Sequence, residues 1–178
     1  MPTFTLDPAH SSVEFTVRHM VFSKVRGNFT SFALDLDVDE ATNLPTSLKA
    51  TIDASSVATH VADRDAHLKS PDFLDVAQFP SITFASSSIT GSAAAFTIDG
   101  TLTLHGVSKP VTLAATFDGR GKDPWGNDRL AYSASTKINR KDFGLTWNQA
   151  LETGGLVVGE DLEIALSIEA TAAVPAAV

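Results

Sequence analysis

Apolar and polar residues alternate along most of this chain with a period of two, the pattern of strands that face a core on one side and water on the other. In Ser12 to Arg18 the apolar positions are Val13, Phe15 and Val17. From Val25 to Val38 they fall on odd numbers as far as Phe29 and on even numbers from Phe32 onward. A slip of one residue sends every side chain to the opposite face, so a bulge or sharp bend is expected near Thr30 and Ser31. Leu48, Ala50 and Ile52 carry the next alternation, after a turn at Asn43-Leu44-Pro45. Later runs are Ile82, Phe84 and Ile89; Phe96 to Leu104; Val111 to Phe117; Leu130 to Ile138; and Leu162 to Ile168. Asp99-Gly100 is a hairpin signal, but the apolar phase passes through it unbroken and His105 to Pro110 already supplies a turn. One long strand bent at Gly100 is therefore expected.

Two stretches break the pattern. Ser55 to Phe79 contains the charged segment Asp63-Arg64-Asp65-Ala66-His67-Leu68-Lys69 followed by Ser70-Pro71-Asp72-Phe73-Leu74. Asp63 is suited to cap a short helix, and Ser70-Pro71 reads as a second start, with Ser at N-cap and Pro at the first helical position. Two short helical pieces are expected. Across Asn139 to Trp147 the apolar phase switches again, which implies another bend. A loop from Asp118 to Asp128, rich in Gly and Asp, carries Trp125, and the Ala-rich end, residues 173–178, is expected to fray.

Eight or nine antiparallel strands with one helical insertion suit a closed barrel, which removes the edges an open sheet would expose. A two-sheet sandwich fits the same alternation less well. About eight strands leave an interior that side chains can fill or that holds one slender ligand. With 178 residues and no linker or repeat, one domain over residues 1–172 is expected.

Composition narrows the function. A net charge of −8 argues against nucleic-acid binding and against electrostatic docking on anionic membranes. The chain has no Cys, so disulfides and thiolate metal sites are excluded. Its five His residues show no metal-ligand spacing such as H-x-x-x-H. No apolar run is long enough for an integral membrane segment. Without a basic and apolar leader at its start, the chain as written is expected to be cytoplasmic, or periplasmic or secreted where a leader has been removed.

Four segments, in order, resemble the YceI-like family of polyisoprenoid-binding proteins. They are Asp7 to Phe15 continuing through His19 to Val25-Arg26-Gly27-Asn28-Phe29, then Arg64 to Phe73, Gly100 to Val107, and Ile138 to Gly144. The resemblance implies an all-β fold, an extended lipocalin-like antiparallel barrel of about eight strands with a short helical insertion. It implies non-enzymatic binding, storage or transport of a long-tailed isoprenoid, an isoprenoid quinone or a similar amphiphilic lipid. It also implies no cofactor, no catalytic residue and a homodimer.

Strand positions rich in Val, Leu, Ile, Phe and Ala suit a greasy tail, with a few polar groups at one end of the pocket. Phe15, Val17, Phe22, Phe29, Leu68, Phe73, Leu74, Phe79, Phe84, Phe143 and Trp147 are the candidate lining residues. Phe22, Phe73, Phe143 and Trp147 stand out because they lie where the alternation fails. His19, His67, Asn139 and Arg140 are candidates for a polar head group, although Arg64, Asp65, His67 and Arg140 could instead fasten the helix and the bend to the barrel rim. An isomerase or cyclase, or a His-based metal site, on the same barrel is the alternative. No nucleophile elbow, phosphate loop or dinucleotide fingerprint supports the enzyme.

Overall fold

The computed structural model describes residues 3–172; the expected fraying at 173–178 lies outside them. In chain order the strands are β1 (Thr3–Leu6), β2 (Ser12–His19), β3 (Ser23–Phe29), β4 (Phe32–Asp39), β5 (Leu44–Asp53) and the two-residue β6 (Val57–Ala58). The one α-helix among the described residues, α1 (Ala62–Lys69), comes next. It is followed by β7 (Ser81–Ser92), β8 (Ala95–Leu104), β9 (Val107–Lys122), β10 (Asp128–Asn139) and β11 (Val158–Ala172).

Antiparallel pairing runs β1-β4-β5-β7-β8-β9-β10-β11 and returns to β1, where Phe4 lies opposite Ala172. The barrel is thus closed, as the alternation requires, with no open face to fold into a sandwich. Two of its eight staves are broken. β11 pairs with β1 at Ala170–Ala172 and with β2 from Ser167 back to Val158, because a single 3-10 turn at Pro8–His10 separates β1 from β2. β3 and β4 are the second broken stave, parted at Thr30 and Ser31, where the apolar phase slips.

Beyond that break the wall divides. β4 pairs with β5 as far as Phe32 opposite Ile52, but β3 pairs beyond that point with β6 instead, at Asn28 and Phe29. The gap between β3 and the β5–β7 wall is covered by β6 and α1. The second broken stave therefore opens one end of the barrel, while β2 stays paired on both sides.

The opposite end is packed shut. Phe4, Val38, Leu130 and Ala170 are fully buried there, and burying side chains of this size contributes about 1.5–3 kcal/mol for each large one. Two glycines make room inside the wall. A Cβ on Gly27 would run into the ring of Phe15 on the facing strand, and one on Gly100 into the ring of Phe84. Neither has positive φ, so each is glycine for space and not for conformation. β8 runs unbroken through Gly100, as its apolar phase implies.

Three local expectations need correction. Asp63 does not cap α1: the N-cap position is Val61, without a side-chain bond, and Asp63 stands in the first turn, where its charge favours the helix dipole. The Ser70-Pro71 start yields a chain of turns and no second helix. Ser70 donates its hydroxyl to the His67 carbonyl and accepts the Asp72 amide, but its own carbonyl takes the amides of Phe73 and Asp75, which closes a turn in place of a helix. The Asp118–Asp128 loop is shorter than its composition suggests, since β9 continues to Lys122. Only residues 123–127 turn, with the Asp123 carboxylate accepting from the amides of Trp125 and Asn127.

Candidate functional site: an apolar tunnel and its mouth

Inward residues of β11 show that the barrel is not filled. Ala170, at the closed end, is fully buried, whereas Leu162, Ile164, Leu166 and Ile168 point the same way yet stay only half-buried. An inward aliphatic side chain keeps accessible surface only when it borders empty space, and close-packed cores leave little. That space is a cavity of ≈ 230 Å³ reaching from Pro45 and Tyr132 near the closed end to Phe73, Leu145 and Val158 at the open one. Along β10 it is bordered by Tyr132, Ala134, Thr136, Ile138 and then Arg140, a run of about 26 Å at strand rise. The shape is a narrow tunnel.

Its walls are nearly all carbon. Tyr132 sits deep inside, where burial pushes its phenol up to about 12, and its hydroxyl donates to the Asn43 carbonyl. Thr136 donates to the Thr112 carbonyl. Glu14 and Ser133 border the tunnel but are exposed and face outward by alternation. Among the described residues no His, and no carboxylate other than Glu14, borders the tunnel. Nothing there forms the convergent acid–base pair that proton-transfer chemistry needs.

Arg140 is the exception at the mouth. It is 2% exposed, and a 3-10 turn (Arg140–Phe143) capped by the Asn139 side chain puts it at the end of β10. Its Nε donates to the Gly159 carbonyl at 2.8 Å, Nη1 to Leu145 at 2.7 Å and Nη2 to Val158 at 3.4 Å. These bonds tie the loop of residues 144–157 to the barrel. No carboxylate bonds to it. The nearest influence, Glu160, is engaged with Lys141 at 2.7 Å. Burial lowers the Arg140 pKa and Glu160 opposes the shift, but a guanidinium remains charged through any physiological range. A buried charge without a counter-charge is costly to structure alone.

Around this charge an aromatic group closes the mouth. His67 on α1 stands 5.0 Å from Phe73 and 4.8 Å from Trp147, and the latter two are 5.2 Å apart, ring centre to ring centre. Edge-to-face packing of this kind adds about 0.5–1.5 kcal/mol per pair. His67 Nε2 also meets Asp72 at 2.8 Å. Arg64 and Asp65 both grip Thr59: Asp65 accepts its amide and hydroxyl, while Arg64 donates to the hydroxyl and carbonyl. The charged half of the helical segment is thereby spent on fastening. Its apolar half, Leu68, Phe73 and Leu74, borders the tunnel.

Of the sequence candidates, Phe15, Val17, Phe29, Leu68, Phe73, Leu74, Phe84 and Arg140 border the tunnel, and the others do not. Phe22 is 80% exposed at the β2–β3 tip. Phe79 packs outside on His105, 4.7 Å between ring centres, because Gly106 lets it lie flat there. Phe143 is buried in the packing behind the bend, and Trp147 stands behind Phe73. His19 is opposite Ser23 and Val158 on the strand ladder, His67 is held by Asp72, and Asn139 serves as a cap. The aliphatic lining extends beyond those candidates: Val111, Leu162, Ile164 and Leu166 are identified only by sharing the inward phase of their strands.

Asp7, His10 and Glu169 are the only group among the described residues that brings three potential metal-ligand atoms within 4.8 Å. The guanidinium of Arg129 already lies 2.6 Å from both Asp7 and Glu169, so a cation occupies that position. No helix among the described residues is long and apolar enough to cross a membrane.

Comparison with known proteins agrees with this architecture. A Staphylococcus aureus UPF0312 protein is 38% identical over 172 residues, covering 95% of this chain and 97% of the relative. The crystal structure of a Campylobacter jejuni YceI protein superposes with a TM-score of 0.76 at 30% identity, over 88% of this chain and 90% of that one. A polyisoprenoid binding domain from Saccharophagus degradans shares the fold, with a TM-score of 0.68 at 15% identity over 97% of this chain and all of the other. Residues 4–170 match the YceI-like domain, and the chain belongs to the YceI-like family.

Proposed function

We propose that this protein is a non-enzymatic carrier that binds the tail of a long isoprenoid or similar amphiphilic lipid in its tunnel, with the polar head toward Arg140. The observation that carries the reading is the unfilled interior: a continuous carbon-lined tunnel with a buried guanidinium, bonded only to backbone carbonyls, at its mouth. A flexible apolar chain gains about 0.8 kcal/mol for each methylene it removes from water. A phosphate, carbonyl or hydroxyl head can accept from the guanidinium, which uses three N–H groups on backbone carbonyls and has five. The fold it shares with the polyisoprenoid binding domain supports the same reading.

Native mass spectrometry of the protein purified from cells tests the proposal directly. Co-purifying lipid with an extended hydrocarbon tail is the expected result; protein that is lipid-free after isolation from several hosts would refute it. Ala134 borders the tunnel from β10, and Ala134→Trp is expected to abolish lipid uptake while the circular dichroism spectrum stays that of a β-barrel.

A further inference from the structure

The tip joining β2 to β3 departs furthest from what stability alone selects. Met20 and Val21 both adopt the left-handed region, with φ of 52° and 71°, where hairpins ordinarily place Asn or Gly. For a β-branched residue that conformation is an outlier. The same residues are apolar and stand in water: Val21 is 55% exposed and Phe22 80%. Leu156, 41% exposed, lies in the loop beside them, and that loop is joined to the tip by the Met20 amide, which donates to the Val157 carbonyl.

Charge is segregated at the same place. Residues 15–34 contain Arg18, Lys24 and Arg26 and no Asp or Glu, in a chain whose net charge is −8. Arg18 lies directly opposite Lys24 on the ladder, a like-charge pairing that weakens a hairpin. None of the three forms an ion pair among the described residues. On β11, Glu160 and Asp161 are taken by Lys141 and Lys137, while Glu163, opposite Thr16, and Glu14 on β2 form no ion pair with the three cations among the described residues. Glu152 is the one acidic residue of the adjoining loop. Cations do guard free strand edges, and β3 has such an edge from Ser23 to Gly27, but that role gives no reason for an exposed Phe22.

The tip is continuous with the tunnel. Val17 and Val158 border the cavity, and Val158 pairs with His19, the last residue before the tip. We propose that Met20, Val21 and Phe22, flanked by Arg18, Lys24 and Arg26, dock the tunnel mouth on the surface of an anionic phospholipid bilayer, so that cargo passes between bilayer and tunnel without crossing water. Apolar residues enter the headgroup boundary while basic residues meet anionic lipid, the combination that holds peripheral proteins at membranes. The proposal rests on the carrier reading for its purpose, but its test does not.

Flotation of the purified full chain with vesicles provides that test. Vesicles of phosphatidylcholine mixed with phosphatidylglycerol are expected to carry the protein, and vesicles of phosphatidylcholine alone are not. Salt at about 1 M, where screening falls to roughly 3 Å, is expected to release it. Neutralising the cations together, as Arg18→Gln, Lys24→Gln and Arg26→Gln, is expected to weaken binding on the order of 100-fold. Phe22→Ser is expected to weaken it on the order of 10-fold, with an unchanged circular dichroism spectrum. Equal flotation on both vesicle types, or retention of binding by both variants, overturns the proposal. So does a wild type that ignores vesicles but self-associates through Phe22, which assigns the tip to a second copy. A protein that floats but never carries lipid refutes the carrier and not the docking surface; one that carries lipid and never floats does the reverse.

Discussion

Arg129 and Arg140 stand at opposite ends of one strand, and the protein treats them in opposite ways. At the closed end Arg129 meets Asp7 and Glu169 at 2.6 Å and Asp123 at 3.0 Å. Nearby, Arg120 is bonded to Asp128. The charge there is surrounded by carboxylates, and it joins the turn after β1, the β9–β10 turn, β10 and β11 into one clasp. At the mouth Arg140 is more deeply buried and meets only carbonyls. One arginine is bonded to carboxylates; the other is bonded to backbone carbonyls and feels Glu160 without a bond to it. Where a structure bears the cost of burying a charge without a partner, the partner is best sought among ligands.

Breaking the mouth is expected to have the largest effect. Arg140→Ala removes a charge-assisted donor, so lipid affinity is expected to fall about 10- to 100-fold, read by titration with a fluorescent polyprenyl probe. Freeing the Gly159 and Leu145 carbonyls should also cost about 1–3 kcal/mol in urea unfolding. If affinity is unchanged while stability falls, Arg140 is a fastener only and the contrast with Arg129 disappears.

Breaking the clasp acts on stability and on its pH dependence. Hydrogen bonds from Arg129 and then His10 hold Asp7 near about 2, against an ordinary 3.8. Asp123 is likewise held near about 2, by Asn127 first and Arg129 among the rest. Below the ordinary value the unfolded chain takes up protons that the folded one refuses, so this stabilisation is complete above about pH 4 and disappears as pH falls toward 2. Acid titration of the wild type should therefore show a steep loss of stability in that window. Arg129→Met should flatten the Asp7 part and leave the Asp123 part that Asn127 sustains, without altering lipid affinity at neutral pH. A shift of lipid affinity at pH 7 would show that the two ends are coupled.

The smallest effect is expected at Trp125, 81% exposed on the β9–β10 turn at the closed end. It is an exposed aromatic on a hairpin whose arginines, Arg120 and Arg129, are held by carboxylates. Trp125→Ser is expected to leave vesicle flotation unchanged and stability within about 0.5 kcal/mol. Loss of flotation would move the docking surface to the wrong end of the barrel.

Much of this molecule was legible before the structure. Period-two alternation identified each long strand, and the odd-to-even slip between Phe29 and Phe32 marked where β3 leaves β4. The helical segment divides by chemistry, with Arg64 and Asp65 on Thr59, His67 on Asp72, and Leu68, Phe73 and Leu74 on the tunnel. Three residues at interruptions misled: Phe22, Phe143 and Trp147 lie where the backbone turns, and a turn does not reveal which side an aromatic ring takes. The tunnel itself was not legible either. Leu162 and Ile164 obey the same alternation whether facing rings fill the interior or leave it empty, because volume depends on residues from all eight staves at once. Arg140 was open for the same reason, since its partners come from residues 145, 158 and 159 across a loop whose path no local pattern sets.

Ring closure has a consequence for how the protein is made. β1 completes its pairing only with Ala170–Ala172 of β11, a strand far from it in sequence. Hairpins from β3 through β10 can form as the chain emerges, but the seam must wait for the whole chain, and contacts so distant in sequence form slowly. Until then the inward faces of the staves are open to water and the tunnel does not exist. On the carrier reading, cargo enters after synthesis or at the moment of closure, and a lipid held between the inward faces stabilises the closed ring by mass action. Supplying polyprenyl lipid during refolding should raise the yield of closed barrel.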